Sequence, residues 1–244
     1  MKILVCISKT PDTTSKISFV KEGKEFNSEG IQFIMNPYDE WYALVRAVEL
    51  KEKNGGTVTA IHVGDASSEI VIRKALAIGA DDAIRVDVVP QSSFQVASEI
   101  AAQAAGYDII FTGKETIDYN GAEVGAMLAE MLDLPFISFV NKLDYAGNEW
   151  TVSREIEGGT ETVKVAGPIV ISAAKGLAEQ RIPNMQGIMM AKRKPLNVVA
   201  SSNAQTGAVV SQHELPAAKS GVKMVDAADM EALVKLLHEE AKVI

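Results

Sequence analysis

Asp108-Ile109-Ile110-Phe111-Thr112-Gly113-Lys114-Glu115-Thr116-Ile117-Asp118-Tyr119-Asn120-Gly121-Ala122-Glu123-Val124-Gly125 passes from an apolar strand, through a glycine-bearing loop, into a helix. The strand pattern covers Asp108–Phe111, and the helical pattern runs from about Ala122 to Leu132. The same order recurs upstream. Ile3–Ile7 is a β-branched run bounded by Lys and Ser. Thr57–Val63 ends at Gly64-Asp65 and leads into a helix from about Ser68 to Ile78, closed by Gly79. Ala83–Val86 leads into a helix over Ser92–Ala105, closed by Gly106. Strands alternating with helices at this spacing predict an α/β fold, a doubly wound and mainly parallel sheet.

Between the first two strands, Ser15–Ile34 is polar and mixed, with a hairpin signal at Glu22-Gly23-Lys24. Asn36-Pro37-Tyr38-Asp39 then predicts a helix start. Asn36 suits a cap, Pro37 the first helical position, and Asp39 the positive end of the helix dipole. Trp41, Leu44, Val45 and Val48 share one face, and Asn54-Gly55-Gly56 stops the helix. After Pro135 the texture changes. Phe136–Val140, Thr151–Ile156, Glu161–Val165 and Pro168–Ser172 are strand-like, and Tyr145–Asn148 and Glu157-Gly158-Gly159 resemble hairpin turns. An antiparallel section is therefore expected beside the parallel one. From Gly176 onward the chain reads as irregular, with a polar linker over Ser201–Gly207. A final amphipathic helix is expected over Asp226–Lys242, with Met230, Leu233, Val234 and Leu237 on one face. Such an arm docks on its own core or on a partner.

The chain has 244 residues, 47% of them hydrophobic, so it can bury a sizeable core. Its 24 basic and 32 acidic residues give a formal charge of −8, which weighs against nucleic acid as a ligand. No apolar run reaches the roughly 18–20 residues of a membrane span, and the chain opens directly into a strand, so no signal peptide is expected. One cysteine excludes an internal disulfide framework, and with only three histidines no zinc site is expected. A soluble, acidic, intracellular protein is the expectation.

Ligands of open parallel sheets bind beyond the carboxyl ends of the strands, near a reversal in strand order. The loops expected there are Ser8–Asp12, Gly64–Ser67 and Thr112–Gly125. A helix start beside Gly121 and Gly125 offers backbone N–H groups to a phosphate. An ordinary strand-to-helix loop accounts for the same glycines, and the Glu123 carboxylate opposes an anion. No Gly-x-Gly-x-x-Gly, Gly-x-x-x-x-Gly-Lys-Ser/Thr or Gly-x-Ser-x-Gly pattern is present. Cys6 lies inside a strand run and reads as a small buried hydrophobe, not a nucleophile. His62 reads as structural, and His213 and His238 as solvated. No catalytic residue is expected, which favours a binding or carrier function. Met185, Ile188, Met189 and Met190 beside Lys192-Arg193-Lys194 are either core or an adaptable binding surface.

Several of these stretches together resemble the β subunits of electron transfer flavoproteins. The family pattern is a basic then an acidic residue, Gly-Gly, an acidic and an apolar residue, and Pro before an apolar run. Here it reads Arg154-Glu155-Ile156-Glu157-Gly158-Gly159-Thr160-Glu161-Thr162-Val163, then Pro168-Ile169-Val170-Ile171-Ser172. Met35-Asn36-Pro37, Gly79-Ala80-Asp81, Gly113-Lys114 with Ile117-Asp118, Ala191-Lys192 and Gly221-Val222-Lys223 also fit. The resemblance implies an adenine-nucleotide-binding, Rossmann-like domain over 1–180 and an arm over 181–244 that carries a docking loop and packs on a partner. It implies a heterodimer with an α subunit that holds most of a redox-active FAD. Electrons would come from flavin dehydrogenases, such as the acyl-CoA dehydrogenases of fatty acid oxidation, and leave to a downstream oxidoreductase. AMP is expected in this subunit, at Cys6, Asn36, Val63 and the loop Gly113 to Val124. Glu155 falls where the family steadies its mobile FAD domain. Met185, with Ile188 and Met189, falls at the anchor that enters a dehydrogenase. A prokaryotic cytoplasmic setting is expected.

The loop also departs from the family. Typical AMP-binding members carry several Asp residues, then Asn, Gln and Thr, before its last glycine. Val124 offers no hydroxyl and Glu123 adds a negative charge. Electron-bifurcating members, which use NADH, have an Asp-Gly-Asp-Thr-Ala-Gln-Val-Gly type of loop and a second FAD in place of AMP. Ala122-Glu123-Val124-Gly125 leans partly that way. A non-redox nucleotide-sensing module of the same fold is the alternative from another class.

Overall fold

The computed structural model describes residues 1–218 and 221–244. Its first strands are β1 (Lys2–Cys6), β2 (Lys9–Pro11), β3 (Phe19–Val20), β4 (Glu25–Phe26) and β5 (Phe33–Met35), before helix α1 (Asp39–Asn54). Then come β6 (Thr57–Val63), α2 (Glu69–Ile78), β7 (Asp82–Asp87), α3 (Ser93–Ala101), β8 (Ile109–Gly113) and α4 (Val124–Leu132). The second half holds β9 (Phe136–Ala146), β10 (Glu149–Ile156), β11 (Gly159–Ala166), β12 (Ile169–Ala173), α5 (Met185–Ala191), β13 (Leu196–Ala200) and α6 (Met230–Lys235). No helix among the described residues is long and apolar enough to cross a membrane.

Nine strands form one sheet in the order β11-β10-β9-β12-β8-β1-β6-β7-β13. The pairs from β9 through β12 to β13 are parallel, while β9, β10 and β11 pair antiparallel. The side chains of β1 explain the layering. Ile3 and Val5 enter one apolar cluster with Leu44 of α1 and Ile72 of α2; Leu4 and Cys6 enter another with Ile100 of α3 and Leu128 of α4. An all-apolar run splitting at period two between two helix layers is what a doubly wound sheet requires. In the antiparallel section only one side is well covered. Trp150 and Val152 are buried on β10, and Trp150 Nε1 donates to Gly167 O at 3.0 Å.

The helices are shorter than the periodicity predicts. α4 starts at Val124 and α3 ends at Ala101. The residue before α1 is Tyr38, which makes no side-chain cap; Asn36, expected as the cap, has another task described below.

The stretch after residue 180 also differs from the irregular arm expected there. α5 packs on α2, and β13 pairs in parallel with β7 as the edge of the main sheet. The compact unit therefore runs Met1–Gln212, and a second unit covers His213–Ile244. Even the polar linker is tied down within the first unit. Glu99, 1% exposed on α3, accepts hydrogen bonds from Ser201 Oγ, Ser202 N (2.8 Å) and Ala204 N (3.3 Å). Ser92 Oγ donates to Thr206 O. Glu99→Ala strands these donors, at a cost of about 1–3 kcal/mol. The expected result is faster amide exchange confined to 201–206 in hydrogen-exchange mass spectrometry. Unchanged exchange there overturns the latch.

In the second unit α6 continues into a π turn at Leu236–Glu240. The predicted helix over 226–242 is shorter because Asp229 caps it, accepting from Ala232 N at 2.9 Å.

Candidate functional site

The strand order reverses between β1 and β8. β1 leads through α1 to β6 on one side, whereas β7 leads through α3 back to β8 on the other. The crevice beyond the carboxyl ends of these strands is where such sheets bind ligands. It is bordered by residues 7–12, 64–67 and 113–123.

The loop after β8 has a held half and an outer half. Asn36 is 1% exposed; its Nδ2 donates to Glu115 O at 2.9 Å and its Oδ1 accepts from Ile117 N at 3.2 Å. Asp39 Oδ2 accepts from Glu115 N at 3.3 Å. Asn36 is therefore a clamp on the loop. Residues 118–123 are exposed, with Asn120 (φ 50°) and Ala122 (φ 53°) in left-handed conformations. Two glycines let the loop lie close to its supports. A Cβ on Gly113 would sit 2.9 Å from Glu40 Cγ, and one on Gly125 would sit 2.7 Å from Thr112 Oγ1.

Beneath the loop, Glu40 accepts from Ser8 N at 2.7 Å and Ser8 Oγ at 2.6 Å. Burial pushes its carboxyl up to about 8 despite these bonds, and the charges of Asp118 and Asp39 add to the rise. Burial likewise raises Asp39, against the pull of Lys114. Lys114 Nζ is paired with Glu115 Oε1 at 2.6 Å. On the opposite rim Lys9 Nζ donates to Ser67 Oγ at 2.6 Å.

The sequence-predicted residues fall into three places. Cys6 and Val63 are buried in one apolar cluster, and Val124 packs against it from the first turn of α4. Asn36 and Gly113 to Glu123 border the crevice, and Cys6 and Val63 stand at the carboxyl ends of β1 and β6. Burial, and secondarily Glu40, raises the Cys6 thiol far above its ordinary range, so it stays a neutral thiol at neutral pH. His62 Nδ1 lies 2.9 Å from Ile7 O, and burial lowers its pKa to about 4, so it is neutral and structural. Glu155 lies elsewhere, exposed on β10, where it accepts from Asn141 Nδ2 at 3.3 Å. Met185 (75% exposed), Ile188 and Met189 form an apolar knob on α5. Ser8 and Lys9 lie in the expected loop Ser8–Asp12; Glu40 carries no local sequence signal beyond standing four residues before Leu44 on the buried face of α1.

An open, doubly wound sheet with three loops gathered at its switch point defines a Rossmann-like α/β protein. The family model for the electron transfer flavoprotein domain matches residues 25–204. The chain belongs to the electron transfer flavoprotein family, among its β subunits. It is 35% identical to electron transfer flavoprotein subunit beta of Bacillus subtilis (strain 168), over all of both chains. It is 36% identical to the protein of that name from Syntrophomonas wolfei, covering 93% of this chain and 90% of the relative. The Homo sapiens protein of that name is 32% identical, over 96% of this chain and 97% of its own length.

Proposed function

We propose that this chain is the β subunit of a heterodimeric electron carrier, housing AMP in the switch-point crevice and presenting α5 to flavin dehydrogenases. An α subunit holds most of the FAD, which supplies the redox chemistry; electrons come from partners such as acyl-CoA dehydrogenases and pass to a downstream oxidoreductase. The proposed setting of the heterodimer is a prokaryotic cytoplasm.

The observation that carries the nucleotide assignment is the crevice's construction. Cys6 and Val63, at the carboxyl ends of β1 and β6, belong to an apolar cluster that Val124 packs against from the start of α4, which suits an apolar base on that side. Asn36 and Asp39 fix the backbone of 115–117 and so hold the loop at the crevice, and the first turn of α4 supplies N–H groups for one phosphate. Val124 has no hydroxyl and Glu123 is acidic, so neither side chain favours a phosphate at the start of α4. Glu155, exposed beside the turn at Gly158, is free of the crevice and available to an Arg of the partner's FAD domain.

The test is the nucleotide inventory of the heterodimer co-expressed with its α subunit. Acid release followed by chromatography is expected to give one FAD and one AMP. Two FAD and no AMP would move the assignment to an electron-bifurcating assembly. A complex with AMP but no flavin would sink the carrier reading in favour of a nucleotide sensor.

A further inference from the structure

α5 has seven residues, and an isolated helix of that length does not hold in water. Its side chains contribute little anchoring. Met185 is 75% exposed, Met189 67% and Met190 51%, and only Ala191 is buried. What fixes it is its neighbour α2, through the backbones of both helices. Gly187 approaches so closely that a Cβ there would lie 2.7 Å from Ala77 O. Arg73, on α2, donates from Nη1 to Ala191 O at 3.0 Å and Lys194 O at 2.9 Å, at the carboxyl end of α5. Lys194, just past α5, donates from Nζ to Leu76 O at 2.9 Å and to Ala80 O, at the carboxyl end of α2. α2 and the segment just past α5 thus each supply a cation to carbonyls at the carboxyl end of the other, where a positive charge is also favoured by the helix dipole. Glu69 holds the Arg73 guanidinium from the other side, at 3.0 Å from Nε and 2.9 Å from Nη2. Beside the brace, Ile70, Ala77, Pro183 and Ile188 line an apolar groove between the two helices.

We infer that Arg73 and Lys194 are positioning residues that hold α5 in its docking geometry before a dehydrogenase arrives. The inference rests on the proposal that α5 is the docking element. A braced helix spares the complex the entropy of ordering it, so the brace acts on encounter and affinity. Lys192 and Arg193, both exposed, remain available to the partner, while Lys194 is spent on the fold.

The test uses the FAD-loaded heterodimer, reduced by an acyl-CoA dehydrogenase with its acyl-CoA substrate, in Arg73→Gln, Lys194→Gln, Lys194→Arg and Met185→Ala forms. Both Gln variants are expected to raise the KM for the dehydrogenase by about tenfold with kcat within about twofold, the pattern of lost uniform binding. Amide exchange in 185–191 should rise while exchange in β1 and β8 stays unchanged. Lys194→Arg should restore both readouts. Unchanged exchange in 185–191 overturns the brace. Faster exchange with an unchanged KM, where Met185→Ala does raise KM, overturns the positioning role and leaves the docking proposal standing. A Met185→Ala form as active as the parent overturns the docking proposal itself, and the positioning role with it.

Discussion

Asn36→Leu is expected to lower the unfolding free energy by about 2–4 kcal/mol and to empty the crevice of the nucleotide proposed for it. Leu matches the side chain in size, so no cavity opens. What it removes is one donor and one acceptor in a site only 1% exposed. Glu115 O loses its donor and Ile117 N its acceptor, each at a cost of about 1–3 kcal/mol if left buried. The loop relieves this cost by lifting toward water, which disorders residues 113–117. Asp39 Oδ2 still receives Glu115 N, so the loop's first turn is partly kept. Nucleotide affinity then carries the cost of re-ordering the loop. A penalty of about 2–3 kcal/mol corresponds to a loss on the order of a hundredfold. Urea denaturation, amide exchange across 113–118 and the AMP retained through gel filtration are the three readouts. Unchanged exchange in 113–118 refutes the clamp, whatever the stability shows.

The same residue shows where sequence reading succeeds and where it stops. Asn36-Pro37 has the local chemistry of a helix cap, and helix α1 does begin three residues later. The partners that Asn36 takes instead are some eighty positions away, and no local pattern contains them. The parallel core was legible because β1, β6 and β8 are apolar runs, the first bounded by Lys and Ser and the other two closed by glycine. Likewise, β10 was legible in part: Thr151–Ile156 reads as strand-like between two turn signals, while the strand itself begins at Glu149. β13 was not, because Leu196-Asn197-Val198-Val199-Ala200 is short, broken by Asn and half exposed as an edge strand. It becomes a strand by pairing with β7. The expected boundary after residue 180 fails for the same reason: Arg73 and Lys194 tie that segment back through contacts more than a hundred residues apart in sequence. Exposure of the methionine knob on α5 was also undecided by sequence, since the same residues at helical spacing suit a core.

Glu40→Gln is expected to remove a pH dependence that the parent shows between about pH 4.5 and 8. The carboxyl is buried under Gly113, and burial holds its folded pKa near 8, against an ordinary value of 4.5. In that window the folded chain keeps a proton that the unfolded chain has released. Stability therefore falls as pH rises, by up to about 1.4 kcal/mol per pH unit, and levels off above the folded value. Below the unfolded value the contribution is present in full. A Gln at this position keeps an oxygen to accept from Ser8 N and an amide that can donate to Ser8 Oγ, with no proton to lose. Chemical denaturation of both proteins from about pH 5.5 to 7.5 should show the parent losing about 2–3 kcal/mol relative to Gln. Parallel curves would mean that Glu40 is ionised throughout and that burial does not govern it. The functional consequence follows from position. Once deprotonated, Glu40 places a buried negative charge beside Asp39 and Asp118, on the floor of the crevice proposed for a phosphate. Nucleotide retention in the parent should then weaken as pH passes 8, and the Gln variant should hold its nucleotide across the same range.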